Sequence, residues 1–267
     1  MIQSVLKAID LMGVFTPQEP CLPLSEIAAR ADMPKSTTHN LLATLASRGL
    51  VEKLDNDSYA LGTAIISFTQ AARVNAELRD RAAPLLREFA DVVHESVYLT
   101  YLDGDYALYI YAIETSHRLM ARTAVGDRVH LHCTGVGKAI LAELPRDHVE
   151  DLIARTGLPG FTPHTLVDPD SLFEELARTH NRGYSIDNQE HETGTYCIGV
   201  VIRDAHGKPI GACSVSGRDP EIIHSRADGV VSDLLYTAQE ISRRMGYIPA
   251  KSALIMPRAD RVKHHDM

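Results

Sequence analysis

Cysteine is scarce in this chain: four among 267 residues, at Cys21, Cys133, Cys197 and Cys213, with no CxxC spacing. So sparse a set excludes a disulfide framework and leaves reduced thiols. Long apolar runs are missing as well. No stretch of eighteen apolar residues occurs, which excludes a helix crossing a membrane. The N-terminal MIQSVLKAIDLMGVF enters an amphipathic pattern at once, without a basic region and small-residue cleavage site, so a cytoplasmic protein is expected. Basic excess is absent too, since the formal net charge is −8. That argues against a general polyanion-binding surface and leaves any nucleic-acid contact to local geometry. Internal repeats and low-complexity segments are lacking. What remains is an ordinary globular composition, 45% hydrophobic and 23% charged, long enough for a small head and a larger second domain.

The tract Leu24 to Leu61 is the most telling. Ser25 is suited to cap a helix running to about Ala31, because its side-chain oxygen can take an orphan N–H of the first turn. Asp32, Met33 and Pro34 form a turn, and Pro34 fits the first position of the next helix, where no N–H donor is needed. Thr38, Leu41, Leu42 and Leu45 share one face of that second helix, and the other face carries Ser36, His39, Asn40, Ala43 and Ser47. No acid occurs between Pro34 and Arg48. Small polar side chains with Lys35 at the helix start are what a major groove accepts, phosphate contacts positioning the helix while side chains read base edges. Val51 to Lys53 and Ser58 to Leu61 read as a wing hairpin turning at Asn56 and Asp57. The candidate DNA-contacting residues are Lys35, Ser36, Thr37, His39, Asn40 and Lys53. A protein-interaction module with the same two-helix corner is the plainer alternative. Met1 to Gly62 holds five cations (Lys7, Arg30, Lys35, Arg48, Lys53) against seven acids (Asp10, Glu19, Glu26, Asp32, Glu52, Asp55, Asp57), so binding depends on a few placed contacts and on dimerisation.

Around this tract the periodicity predicts a first helix from about Gln3 to Phe15 with Val5, Ala8, Ile9 and Met12 as its apolar stripe, closed by a loop from Thr16 to Pro23. Thr63 to Val74 is an apolar-rich helix without a partner in so small a head, pointing to packing between domains and subunits. A helix over about Leu78 to His94 should turn Leu85, Leu86, Phe89 and Val92 inward. Asp103-Gly104 marks a hairpin between VYLTYL and YALYIYAI. Strand-like runs follow at Arg118 to Arg122 and Arg128 to Leu131, then helices over about Val136–Glu143, His148–Arg155 and Asp168–Arg182, the last ended by Gly183. Strands Cys197–Arg203 and Pro209–Ser216 and a closing helix near His224–Met245 complete an α+β domain with an antiparallel sheet. The tail from Pro257 is polar. The boundaries expected are a head over 1–62, a linker helix over 63–77, a sensing domain over 78–248 and the tail over 249–267.

Several groups of the second domain fit a binding site. Thr134-Gly135-Val136-Gly137 precedes a helix, so backbone N–H groups and a positive dipole end favour an anion, although the same Gly pair also serves a plain loop-to-helix junction. Ser214 and Ser216 lie on one strand face with Ala212, and Cys197, Gly199 and Val201 share a face of the preceding strand, where small residues leave room for a ligand. An exposed strand face is the alternative for the serines. His130, His132 and Cys133, and separately Asp187, Glu190, His191 and Cys197, are residue types that zinc takes, but neither group shows a ligand motif. An enzyme would use Cys197 as nucleophile with His191 or His132 as base; no nucleophile elbow frames them.

Over essentially its whole length the chain resembles the IclR family of bacterial transcriptional regulators. LSEIAARADMPKSTTHNLLATLASRGLV is similar to that family's winged helix-turn-helix, and CTGVGKAILAELP, RGYSIDNQEHETGTYCIGVVIRD and GKPIGACSVSG to its effector-domain signature. The resemblance implies a GAF-like effector domain, dimers formed through heads and linker helices or tetramers built from them, and ligand-controlled regulation of nearby catabolic genes. It places the effector site at Gly135, Val136, Asp187, Cys197, Ser214 and Ser216, for small organic and sometimes aromatic acids, with no cofactor and no metal. Asp187 disfavours a second anion unless it is protonated or meets a ligand hydroxyl or amine, so a ligand with both acceptor and donor groups is expected. Asn40 stands where many members carry Arg, which favours adenine over guanine at that base. Cys133 and Cys213 also depart from the family pattern, which leaves open a metal- or redox-responsive regulator beside the acid-responsive one.

Overall fold

Residues 1–16, 18–114 and 125–248 are described by a computed structural model, which divides into units Met1–Asn75 and Ala76–Met267. The first unit runs α1 (Gln3–Met12), β1 (Cys21–Pro23), α2 (Leu24–Arg30), α3 (Lys35–Ala46), β2 (Val51–Lys53), β3 (Ser58–Leu61) and α4 (Ala64–Ala71). Its core gathers Leu11, Ile27, Leu42, Leu45, Val51 and Tyr59. Thr38 is buried with them, its hydroxyl donating to the Pro34 carbonyl. The wing forms where expected. Asp57 takes φ +60° at its tip, and the Asn56 carboxamide oxygen accepts from the Ser58 amide.

Four local expectations change. Ser25 caps nothing, because α2 already begins at Leu24 after extended Pro23. Pro34 stands just before α3, rather than inside it, and the corner is made by Asp32 at φ +49°. Cys21–Pro23, expected as loop, adds an antiparallel strand to β3 because Leu22 drops into the head core. In α1 it is Leu11 that is buried, whereas Val5 and Ile9 stay 52% and 55% exposed.

The second unit opens with a π-helical turn at Asn75–Arg79 and α5 (Asp80–Val93), which ends on His94 in the left-handed region. Ala82, Ala83, Leu86, Phe89, Ala90 and Val93 form its buried face, the i, i+3, i+4, i+7 set; Val92, expected inside, is outside. Then come β4 (Ser96–Asp103), β5 (Tyr106–Ile113), β6 (Arg128–His130), α6 (Gly135–Leu141), α7 (Arg146–Thr156), α8 (Pro169–Arg182), β7 (Ser185–Asn188), β8 (Tyr196–Arg203), β9 (Pro209–Gly217) and α9 (Ala227–Arg244). The strands make one antiparallel sheet ordered β6-β5-β4-β9-β8-β7. Strand β7 was missed in the sequence because its four residues are mixed in polarity and exist as a strand only through pairing with β8. The run Arg118 to Arg122 and the tail from Pro257 lie outside the described residues.

Helices α5 and α9 pack on one face of the sheet and α6 on the other. Contact between α6 and β8 is close. A Cβ on Gly199 would run into the Gly135 carbonyl, and one on Gly137 into the Leu131 backbone. Gly199 therefore makes room for a helix, not for a ligand as its size had implied. Gly137→Ala should cost about 1–3 kcal/mol through overpacking against immovable backbone, whereas Gly160→Ala, which meets only the Val167 side chain at 3.5 Å, should be near neutral; chemical denaturation of both variants checks this.

Candidate functional site

Register across the sheet builds the site row by row. Tyr98, Ser214, Gly199 and Ser185 lie side by side, and so do Ser96, Ser216, Cys197 and Asp187. Directly paired residues point the same way and alternate residues share a face, so both rows look toward α6. A β-bulge at Leu99/Thr100 shifts the β4–β5 register by one, pairing Thr100 with Tyr109. This turns Tyr109 to the same face, where its ring meets Tyr98 edge-on at 5.6 Å.

The resulting cavity, about 30 Å³, is lined by Gly135, Asp187, Cys197, Ser214 and Ser216 together with Tyr98, Tyr109 and Thr134, and by His191, Glu192 and Thr195 from the segment after β7. Five of the six expected effector residues thus converge. The sixth, Val136, does not: its side chain is 1% exposed and belongs to the core between the sheet and α6 to α8. Only its backbone N–H remains for a ligand. Thr134 caps α6, its hydroxyl accepting from Gly137 N at 3.1 Å. The tyrosines escaped sequence reasoning because the bulge that aims Tyr109 leaves no mark in the alternation. Thr134 was missed as well, although a threonine at the start of a helix is itself a cap signal.

Charge inside this site is unusual. Lys138, on α6, is fully buried and its ammonium is hydrogen-bonded to Glu190 Oε1, while Glu190 Oε2 is buried with no hydrogen-bond partner among the described residues. Asp187 is 4% exposed and accepts from the Glu190 amide at 2.7 Å. Burial, and then the neighbouring Glu190 charge, push its carboxyl up to about 7. Thr162 and Thr165 hydroxyls donate to the carbonyls of Gln189 and Glu190, which fastens the 189–190 turn to the loop before α8.

The histidines pack against one another and against Phe161. His130 and His132 meet edge-on at 5.5 Å, and Phe161 lies against His130 and His191. Burial lowers all three histidines, favouring neutral rings. Among the described residues no group of three or more His, Cys, Asp or Glu is arranged to hold a metal ion. Cys213 is fully buried with its thiol pushed up to about 12, and burial raises Cys133 further. Such thiols are poor redox sensors, since the reactive species is the thiolate.

In the head, Lys35, Ser36, His39 and Asn40 are exposed on α3 and Thr37 is half-buried. Lys53 is exposed on the wing but ion-paired with Asp57 at 2.6 Å. Arg30 is likewise held, by Glu19 at 2.8 Å and Glu26 at 3.0 Å.

A winged helix-turn-helix joined to a sheet domain with an enclosed polar cavity defines a DNA-binding transcriptional regulator with a ligand-binding second domain. Residues 4–55 match the IclR helix-turn-helix domain and residues 70–243 match the bacterial transcriptional regulator IclR C-terminal domain. The chain belongs to the IclR family. It is 31% identical to the transcriptional repressor IclR of Escherichia coli over 92% of this chain and 90% of that one. With the HTH-type transcriptional regulator BhcR of Paracoccus denitrificans it shares 33% identity over 94% and 90%. The crystal structure of Thermotoga maritima IclR superposes with a TM-score of 0.78 at 28% identity, covering 92% of this chain and all of that one. An IclR homolog from Microbacterium hydrocarbonoxydans, crystallised with 4-hydroxybenzoate, has the same fold, with a TM-score of 0.83 at 22% identity over 91% and 98% of the two chains.

Because Asp187 is raised in the folded chain, its contribution to stability is greatest below the unfolded carboxyl value of 3.8 and is lost as pH rises toward about 7. Asp187→Asn should therefore stabilise the protein more at pH 8 than at pH 5, the difference being on the order of 2 kcal/mol. Thermal unfolding of both proteins at the two pH values measures it.

Proposed function

We propose that the protein is a cytoplasmic, homodimeric or tetrameric regulator that reads a palindromic operator with α3 and responds to a small organic acid in the cavity beneath α6, governing catabolic genes. The observation that carries this reading is the pairing, within one chain, of an exposed acid-free helix face with an enclosed cavity of hydroxyls, backbone N–H groups and one carboxyl. On DNA, Lys35 and Thr37 meet phosphates, Ser36, His39 and Asn40 read base edges, and Lys53 leaves Asp57 for the backbone. Dimerisation is supported by the apolar residues left bare in the head. Ile2, just before α1, and Val5 and Ile9 on it are 71%, 52% and 55% exposed, and Ile66 and Phe68 on α4 are 60% and 63% exposed.

The effector is an acid that also carries a hydroxyl. Its carboxylate is received by Ser214, Ser216 and the N–H groups of Gly135 and Val136, with Cys197 as a packing wall, and its hydroxyl meets Asp187. The 4-hydroxybenzoate held by the Microbacterium homolog has both groups. At about 30 Å³ the cavity holds one or two waters, so an acid enters only by opening it. That difference between empty and filled shapes is what lets a ligand favour one head spacing over another. Cys197 and His191 act here in binding, with no turnover of the acid.

Two measurements test this reading. In gel-shift titrations against the promoter next to the gene, Asn40→Ala should weaken specific binding by about 1–3 kcal/mol and relax discrimination at one base, and Lys35→Ala should weaken all sequences alike; binding indifferent to both changes overturns the DNA assignment. In calorimetric screens of small carboxylic acids, the Ser214→Ala, Ser216→Ala double variant should bind at least tenfold more weakly than the parent. An acid whose affinity ignores the double variant places the site elsewhere.

A further inference from the structure

The effector cavity asks an anion to settle beside a carboxyl that is itself shut off from water, and the fixed charges around it do not balance such an arrival. Lys138, from α6, is the cation of the cluster, and its ammonium is already taken by Glu190. Asp187 and Glu190 together outweigh it by one negative charge. Glu175, which faces Lys138 from α8, brings no relief, since it is matched by Arg178 at 3.0 Å and Arg182 at 2.7 Å. The segment after β7 contributes His191, neutral through burial, and Glu192 at the cavity wall. The turn before α6 contributes His130 and His132, also neutral, and the Cys133 thiol. Strands β4, β5, β8 and β9 add hydroxyls and a thiol, with no cation. A second carboxylate a few ångströms from an ionised Asp187 would thus be buried without compensation.

We infer that an acid effector enters this cavity together with one proton from solvent, which comes to rest on the Asp187 carboxyl, so that Asp187 donates a hydrogen bond to the hydroxyl oxygen of the bound anion. No bond to carbon is made or broken. The site gains one anion and one proton, and its net charge is the same before and after. The backbone geometry fixes where the proton comes to rest, because the amides of Glu190, at 2.7 Å, and His191 hold the buried Asp187 carboxyl at the cavity wall. With the free carboxyl at about 7, the proton is absent from part of the population at neutral pH and is supplied as the ligand binds. The regulator then responds to the product of acid and proton concentrations, and is more sensitive when an acid accumulates with a fall in pH.

The inference rests on the acid-effector reading, and one experiment separates the two. Full-length protein is titrated calorimetrically with glycolate and with 4-hydroxybenzoate at pH 6 and pH 8, each in two buffers of different ionisation enthalpy. Binding about tenfold weaker at pH 8 than at pH 6, with uptake approaching one proton at pH 8, is expected. Asp187→Asn, which carries the N–H donor permanently, should lose that slope and bind more tightly than the parent at pH 8, whereas His191→Gln should keep the slope. Equal affinity at both pH values, with no proton uptake, overturns the inference and leaves the acid reading standing. A slope that survives Asp187→Asn and disappears in His191→Gln also overturns it, assigning the proton to the histidine. Failure of the acids to bind at either pH overturns both. Should Asp187→Asn fold poorly by circular dichroism, the proton count of the parent in the two buffers still decides the matter.

Discussion

The second domain depends on how closely one short helix lies against the sheet. Gly135, Gly137 and Gly199 let α6 approach β8 and the Leu131 turn until backbone meets backbone, a spacing that any side chain would prevent. From that contact the rest follows. The first turn of α6 is pressed over the row Ser216, Cys197, Asp187, which makes a cavity instead of a filled core. Lys138 is carried one turn further into a dry interior, where it must find an acid, and Glu190 supplies it. The turn that brings Glu190 is then held by threonine hydroxyls on its carbonyls. Close packing, buried charge and ligand chemistry are consequences of one missing Cβ at each of three positions.

The two units use polarity in opposite ways. The head keeps a small hydrophobic core and places its informative side chains outside, on a helix whose partners are supplied by another molecule. In the second unit the informative side chains are inside, and their meaning comes from one another: Asp187 is raised by burial and then by the Glu190 charge, with Lys138 pulling the other way. An exposed helix face can therefore change single side chains at little structural cost, whereas the cavity cannot exchange one charged group without disturbing the balance of the others.

Much of this was legible in the linear sequence. The helix-turn-helix and its wing were readable because each element carries its own local signal, an apolar periodicity or a turn dipeptide, and the hairpin at Asp103-Gly104 likewise. Ser214, Ser216, Asp187 and Cys197 could be named from motif position and strand alternation. What could not be read depends on pairing across the chain. Strand β7 has no apolar pattern of its own, Tyr109 is aimed by a bulge, and the bond from Lys138 to Glu190 spans 52 residues. The space credited to Gly199 was the clearest misreading: a glycine in a strand marks close approach of something, and the sequence does not tell backbone from ligand.

The ion pairs of the head have a kinetic side. Arg30 is held by Glu19 and Glu26, and Lys53 by Asp57 until DNA displaces it, so two of the five cations of Met1–Gly62 are engaged before any contact. Fewer cations mean fewer displaced counterions, and it is counterion release that lets a protein adhere to arbitrary sequence and slide along it. On the proposed function, such a head dwells briefly on non-specific sequence. On that same function, the search for an operator is then made more by repeated three-dimensional encounters than by sliding.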